Sequence, residues 1–126
     1  MRLDSRLKKS YQGILRLSRR HRAVALRAAK EAMTVLRLFE AERPRDTRPR
    51  DAIVAIRAWA QGRRQLGMRA TRRLSLDAHA AARAARSEAA RFAARAAGHA
   101  VATWHVPTHA LGAPLYAEKA RAARQK

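Results

Sequence analysis

The residues of this chain able to do chemistry are five histidines, nine carboxylates and a large excess of arginine. There is no cysteine, which removes a thiol nucleophile, a disulfide framework and Cys-ligated zinc. His99, His105 and His109 crowd one stretch, while His21 and His79 stand apart. His99 and His105 are six residues apart, about 120° out of register on a helix. His105 and His109 have Pro107 between them, so they straddle a turn rather than share a helix face. Glu118 is the one acid near this cluster and no HExxH occurs, so a zinc site lacks its ligands. His99 and His105 read instead as groups that cap or satisfy backbone in an Ala-rich core. The carboxylates form no pair suited to general acid–base work, and there is no Gly-rich phosphate loop, GxSxG or HxE–PCxxC pattern. The sequence therefore predicts a non-enzymatic protein with no catalytic residue, no cofactor and no metal.

What the sequence concentrates is positive charge. Lys plus Arg number 29 against 9 Asp plus Glu, a formal +20, and 24 of the 29 are arginine. A GC-rich genome inflates Arg and Ala together but does not by itself suppress Asp and Glu so far. The candidate basic surface comprises Arg43, Arg45, Arg48 and Arg50 of RPRDTRPR, Arg63, Arg64, Arg69, Arg72 and Arg73 in and after QGRRQLG, and Arg57 as a bridge between them. Such a surface attracts either an acidic protein or a polyanion. Against base reading stands an aromatic content of 5%, with most of Tyr11, Phe39, Trp59, Phe92, Trp104 and Tyr116 on apolar faces. Nucleic-acid binding would then be phosphate-led and indifferent to sequence. A continuous positive stripe favours polyanion, and a patch interrupted by apolar residues favours a protein partner.

The elements that position these groups are helices. A chain of 126 residues makes one domain. Of its 60 hydrophobic residues 31 are alanine, so the core is thin and helices must approach closely. Residues 1–21 read as a basic N-terminal segment, helical or frayed, and residues 22–123 as the α-helical domain. A first confident helix covers 22–42 and stops before Pro44. A second covers 49–61, with Thr47 as its cap and Gly62 as its stop. A third covers 67–86, with Ala70, Leu74, Ala78 and Ala81 inward. A fourth runs from Ser87 over 88–105, where Gly98 implies close packing. A fifth covers 109–123, capped by Thr108, with Pro114 kinking it or delaying its regular start. Residues 124–126 form a polar tail. The expected fold is all-α, a single compact bundle of five to six helices around Phe39, Trp59, Phe92, Trp104, Leu111 and Leu115. The echo between DAHAAARAA and AAGHAVATWH suggests helical-hairpin repeats. No apolar run of about 18 residues or secretory h-region occurs, so a cytoplasmic location is expected, with the oligomeric state left open.

Two fragments carry a family resemblance: LFEAERPRDTRPRDAIVAIRAWAQG and AARAAGHAVATWHVPTHALGAPLYA. Together they resemble the small α-helical bacterial putative immunity proteins, some of which bear an exonuclease label. The resemblance spans about residues 20–120. It implies an all-helical fold and neutralisation of a toxin by direct protein–protein contact, and it brings no catalytic residues. The exonuclease label finds no support, because no metal-binding carboxylate cluster is present. Residues 1–20 lie outside the resemblance. The charge is far more positive than an inhibitor of a basic nuclease should have, which implies an acidic toxin or a different task on the same scaffold.

Overall fold

The computed structural model describes residues 5–125, which form six α-helices and one 3₁₀ turn, with no strand among them. The helices are α1 (Ser5–Gln12), α2 (Arg19–Glu40), α3 (Arg48–Ala60), α4 (Met68–Ala84), α5 (Glu88–Ala102) and α6 (Gly112–Arg124), with the 3₁₀ turn at Pro107–Leu111 before α6. Residues 1–4 of the expected N-terminal segment, and Lys126 of the tail, lie outside the described residues. No described helix is long and apolar enough to cross a membrane.

Local residue chemistry accounts for most boundaries. Ser18 caps α2, its hydroxyl accepting from the His21 N–H at 3.1 Å. α2 therefore begins at Arg19, across the division expected between residues 21 and 22. The chain leaves α3 through Gly62 at φ 76. There Gly62 N donates to Trp59 O at 3.0 Å and Arg63 N to Ala58 O at 2.8 Å, the paired bonds of a Schellman ending. Thr47 sits at the α3 N-cap position, but its hydroxyl donates to Asp51 Oδ2 at 3.0 Å instead of capping the backbone. Ser87 caps α5 by accepting from Ala90 N at 3.1 Å.

Other boundaries differ from expectation. α5 ends at Ala102 rather than 105, because residues 103–105 tighten into i→i−3 bonds before Pro107. Thr108 lies inside the 3₁₀ turn and caps no helix, and regular helix starts at Gly112, which puts Pro114 in the first turn, where its missing N–H costs nothing. In α4 the inward stripe is Thr71, Ala78, Ala81 and Ala82, so Ala70 is exposed rather than packed.

α5 is the central helix and touches α2, α3, α4, α6 and the 3₁₀ turn. It can do so because Ala90, Ala93, Ala94, Ala96, Ala97 and Ala100 are fully buried and bring the helix axes close. Phe39, Trp59, Trp104 and Leu111 are buried, while Phe92 and Leu115 are half-buried. The N-terminal arm is not wholly solvated: Tyr11 and Ile14 are buried and α1 packs on the 3₁₀ turn.

Candidate functional site

The structure divides the ten candidate arginines into groups with different surroundings. In RPRDTRPR the loop binds itself. Arg48 donates bidentately to Asp46, Nε to Oδ1 at 2.9 Å and Nη2 to Oδ2 at 2.7 Å, and Arg43 Nε reaches Asp46 Oδ2 at 3.4 Å. Arg50 donates two bonds of 2.7 Å to Glu40 at the end of α2. These arginines hold the Asp46 carboxyl down to about 2, with Arg48 the main cause, and Arg50 pulls Glu40 below its ordinary value. Two carboxylates thus offset most of the charge of these three arginines where it stands. Arg45 of the same loop is exposed. Arg57, midway along α3, lies against Lys30, Met33 and Thr34 of α2, in a groove lined by none of the other candidates.

On α4 the arrangement is open. Met68, Arg72 and Leu76 follow at i, i+4 and i+8 and form one ridge, with Arg69 and Arg73 on the next. Met68 is 40% and Leu76 61% exposed, so two apolar side chains stand in solvent among the arginines of this helix. A shallow groove of about 580 Å³ runs along the outer side of this ridge, lined by these residues and Asp77. Arg73 meets Asp77 at 4.0 Å with both side chains solvated, so this pair cancels little of the charge. A narrower, mostly apolar groove of about 180 Å³ lies on the other side, against Ala102, His105 and His109.

Arg63 and Arg64 belong to a third place, a cleft of about 370 Å³ between the α3–α4 connection and the corner before α2, walled by Trp59 and Trp104. Arg22 lines it too, with its guanidinium 4.5 Å above the Trp59 ring, while Arg16 lies 4.6 Å above Trp104. Sequence reasoning placed Arg16 and Arg22 in the basic N-terminal stretch but not at this cleft, because nothing local ties them to two tryptophans about 40 and 90 residues away. It could have found the Asp46 pairs, since Asp46 lies three residues from Arg43 and two from Arg48.

The histidines form a cluster that spacing did not foretell. His99 stacks on Tyr116 at 5.0 Å and 22°, with the rings of His79 and His109 each 5.5 Å away. Two glycines make room for it. A Cβ on Gly98 would stand 2.6 Å from His79 Nε2, and one on Gly112 would stand 2.5 Å from His99 Nδ1. Arg95 Nη1 donates to His79 Nδ1 at 2.8 Å, so His79 carries its proton on Nε2. Burial lowers His79 and His99 to about 4 and lowers His109 as well, with neighbouring positive groups adding to the effect. The cluster is neutral and packs α4, α5 and the last turn together. His105, expected to satisfy backbone in the core, is exposed. Among the described residues no group of three or more His, Asp and Glu could hold a metal ion.

The family model for the Imm-5 like putative immunity protein matches residues 17–126, most of the chain. No curated protein and no solved structure matches it.

Proposed function

Since the chain belongs to the Imm-5 like putative immunity protein family, we propose that it is a non-enzymatic binding protein that neutralises an acidic toxin by direct contact through α4. The observation that carries this reading is the interleaving of Arg69, Arg72 and Arg73 with exposed Met68 and Leu76. Phosphate backbone is recognised by charge and hydrogen-bond donors and gains little from apolar side chains in the stripe. A protein interface gains from both, because apolar anchors release water and arginines pair with carboxylates around them. The matched arginines of RPRDTRPR serve the fold in this reading and hold the α2–α3 turn.

The test is rescue of growth on co-expression with an acidic toxin that the protein captures. Arg72→Glu and Leu76→Asp are expected to fold normally, to weaken capture of the toxin tenfold or more, and to abolish rescue. Rescue equal to wild type by both variants overturns the α4 reading. The formal charge of +20 supports a second reading, phosphate-backbone binding without sequence preference. There, affinity for any DNA falls about a thousandfold between 50 and 200 mM salt. Reversing charge at Arg57, Arg64 and Arg72 then lowers the salt slope by about one for each phosphate that is no longer neutralised. Leu76→Asp separates the readings further, because one acidic residue in place of a leucine changes DNA affinity modestly and removes an apolar anchor outright.

A further inference from the structure

We infer that the cleft between the two tryptophans is a carboxylate-binding pocket that takes an acidic, leucine-bearing peptide segment of the partner, a second anchoring point beside α4. The inference rests on the reading of this chain as a protein-binding protein. Arg22 Nη1 donates to the Trp59 carbonyl oxygen, and Arg63 donates through Nε and Nη2 to Gln61 Oε1. Both acceptors are neutral. They fix the guanidinium groups in place without cancelling their charge, whereas Arg48 and Arg50 end on carboxylates. Among the described residues no carboxylate lines the cleft. Arg64 stands exposed at its rim. Pre-positioned, unmatched guanidinium groups suit a carboxylate, which accepts two parallel N–H bonds from each.

The walls select what carries that carboxylate. Trp59 and Trp104 are 3% and 7% exposed, and Arg22 and Arg16 lie over their faces. No aromatic face is left on which a nucleobase could stack, so the pair of tryptophans does not make a nucleic-acid platform. Leu17 and Leu66 give apolar sides instead. Leu17 is 52% exposed and sits at φ 64, a conformation that an L side chain adopts at a cost. The outlier is enforced. Leu17 N donates to His21 Nδ1 at 2.8 Å, and the other ring nitrogen of fully buried His21 donates to Thr103 O at 2.6 Å. The backbone conformation serves this corner, but the side chain it turns out to solvent packs on nothing that needs it and stands free at the cleft mouth as an apolar contact position. The Trp104 Nε1–H is buried with no acceptor among the described residues, a donor left without a partner beside the same cleft.

Both tryptophans of the chain line the cleft, so their fluorescence reports on its occupancy. The test titrates the full-length protein with a hexapeptide of alternating glutamate and leucine, its glutamine–leucine counterpart, and inorganic phosphate. The glutamate peptide is expected to shift the emission saturably, the glutamine peptide to have no effect, and phosphate to bind at least tenfold more weakly. Arg64→Gln, alone or with Arg22→Gln, should weaken the glutamate peptide tenfold or more for the pair. A charge-matched pair remote from the cleft, Arg37→Gln with Arg124→Gln, should weaken it less than threefold. Leu17→Gly should raise the melting temperature by relieving the backbone and still weaken the peptide about threefold, a combination that a purely structural leucine would not produce. Equal weakening by the remote pair, or phosphate competing at equal concentration, overturns the inference. Because this titration needs no toxin, it can fail while α4 still captures the toxin, and the α4 reading can fail while the cleft still binds the peptide.

Discussion

RPRDTRPR and the segment from QGRRQLG into α4 look alike as strings, since both are dense in arginine and flank the same helix. They differ in what their arginines meet. Arg43 and Arg48 close on Asp46, and Arg50 closes on Glu40. Arg63 rests on a neutral amide, and Arg69 and Arg72 face solvent beside Met68 and Leu76. Carboxylates also tie backbone together on the first side. Beyond Asp46 and Glu40, Glu42 accepts from Arg86 N at 2.7 Å and Ser87 N at 2.9 Å and so ties the end of α2 to the α4–α5 turn. A count of basic residues therefore overstates the charge available for binding on one side of α3 and describes it well on the other. With so few acids in the chain, where each is placed decides which arginines remain free.

The largest effect expected of any change bearing on this contrast comes from the core that joins the two sides. Trp59→Ala should cost about 3–5 kcal/mol, because it leaves a cavity in a thin core and removes the floor of the cleft. Urea titration measures it, and a loss under 1 kcal/mol would mean that Trp59 is not the support it resembles. Next comes Gly98→Ala, which drives a methyl into the His79 ring and should cost about 1–3 kcal/mol by overpacking.

Acid should separate the two sides. His79 and His99 have folded values of about 4 against 6.5 unfolded, so the unfolded chain binds their protons more readily. Stability is complete above about pH 6.5 and is lost progressively as the pH falls towards 4. The Asp46 pairs behave differently, since that carboxyl titrates at about 2 when folded against 3.8 unfolded. Their contribution is intact above about pH 4 and disappears only as the pH falls towards 2. Hydrogen exchange between pH 7 and 4 should thus show α4 and α5 loosening before the RPRDTRPR turn. Simultaneous loosening would remove the distinction.

Smaller effects sharpen the comparison further. Asp46→Asn should cost about 1–2 kcal/mol, since it breaks charge-assisted bonds to two arginines that are partly solvated, and it should leave partner affinity within twofold of wild type. Arg72→Gln should change stability by less than about 0.5 kcal/mol and yet weaken the partner tenfold. Thermal melts together with a binding titration would decide both. The reverse pattern, with Asp46 governing affinity and Arg72 stability, would invert the assignment of the two sides.

The helices and most of their ends are written in the order of the residues. Pro44, Gly62, Ser87 and Pro107 act on backbone within about four residues, so their effects are legible without the fold. Close packing of the helices is legible too, because a chain this rich in alanine has no other way to bury its surface. Where α4 turns its face was less legible: with few large side chains the apolar stripe is faint, and Thr71 rather than Ala70 points inward. Which charges are free, which histidines meet, and that Arg16 and Arg22 lie over tryptophans far along the chain were settled by the packing of the helices. A helix repeats its own geometry every 3.6 residues, so local sequence can specify it. The bond from Arg22 to the Trp59 carbonyl joins residues 37 apart, depends on how whole helices pack, and is recorded in no local pattern of residues.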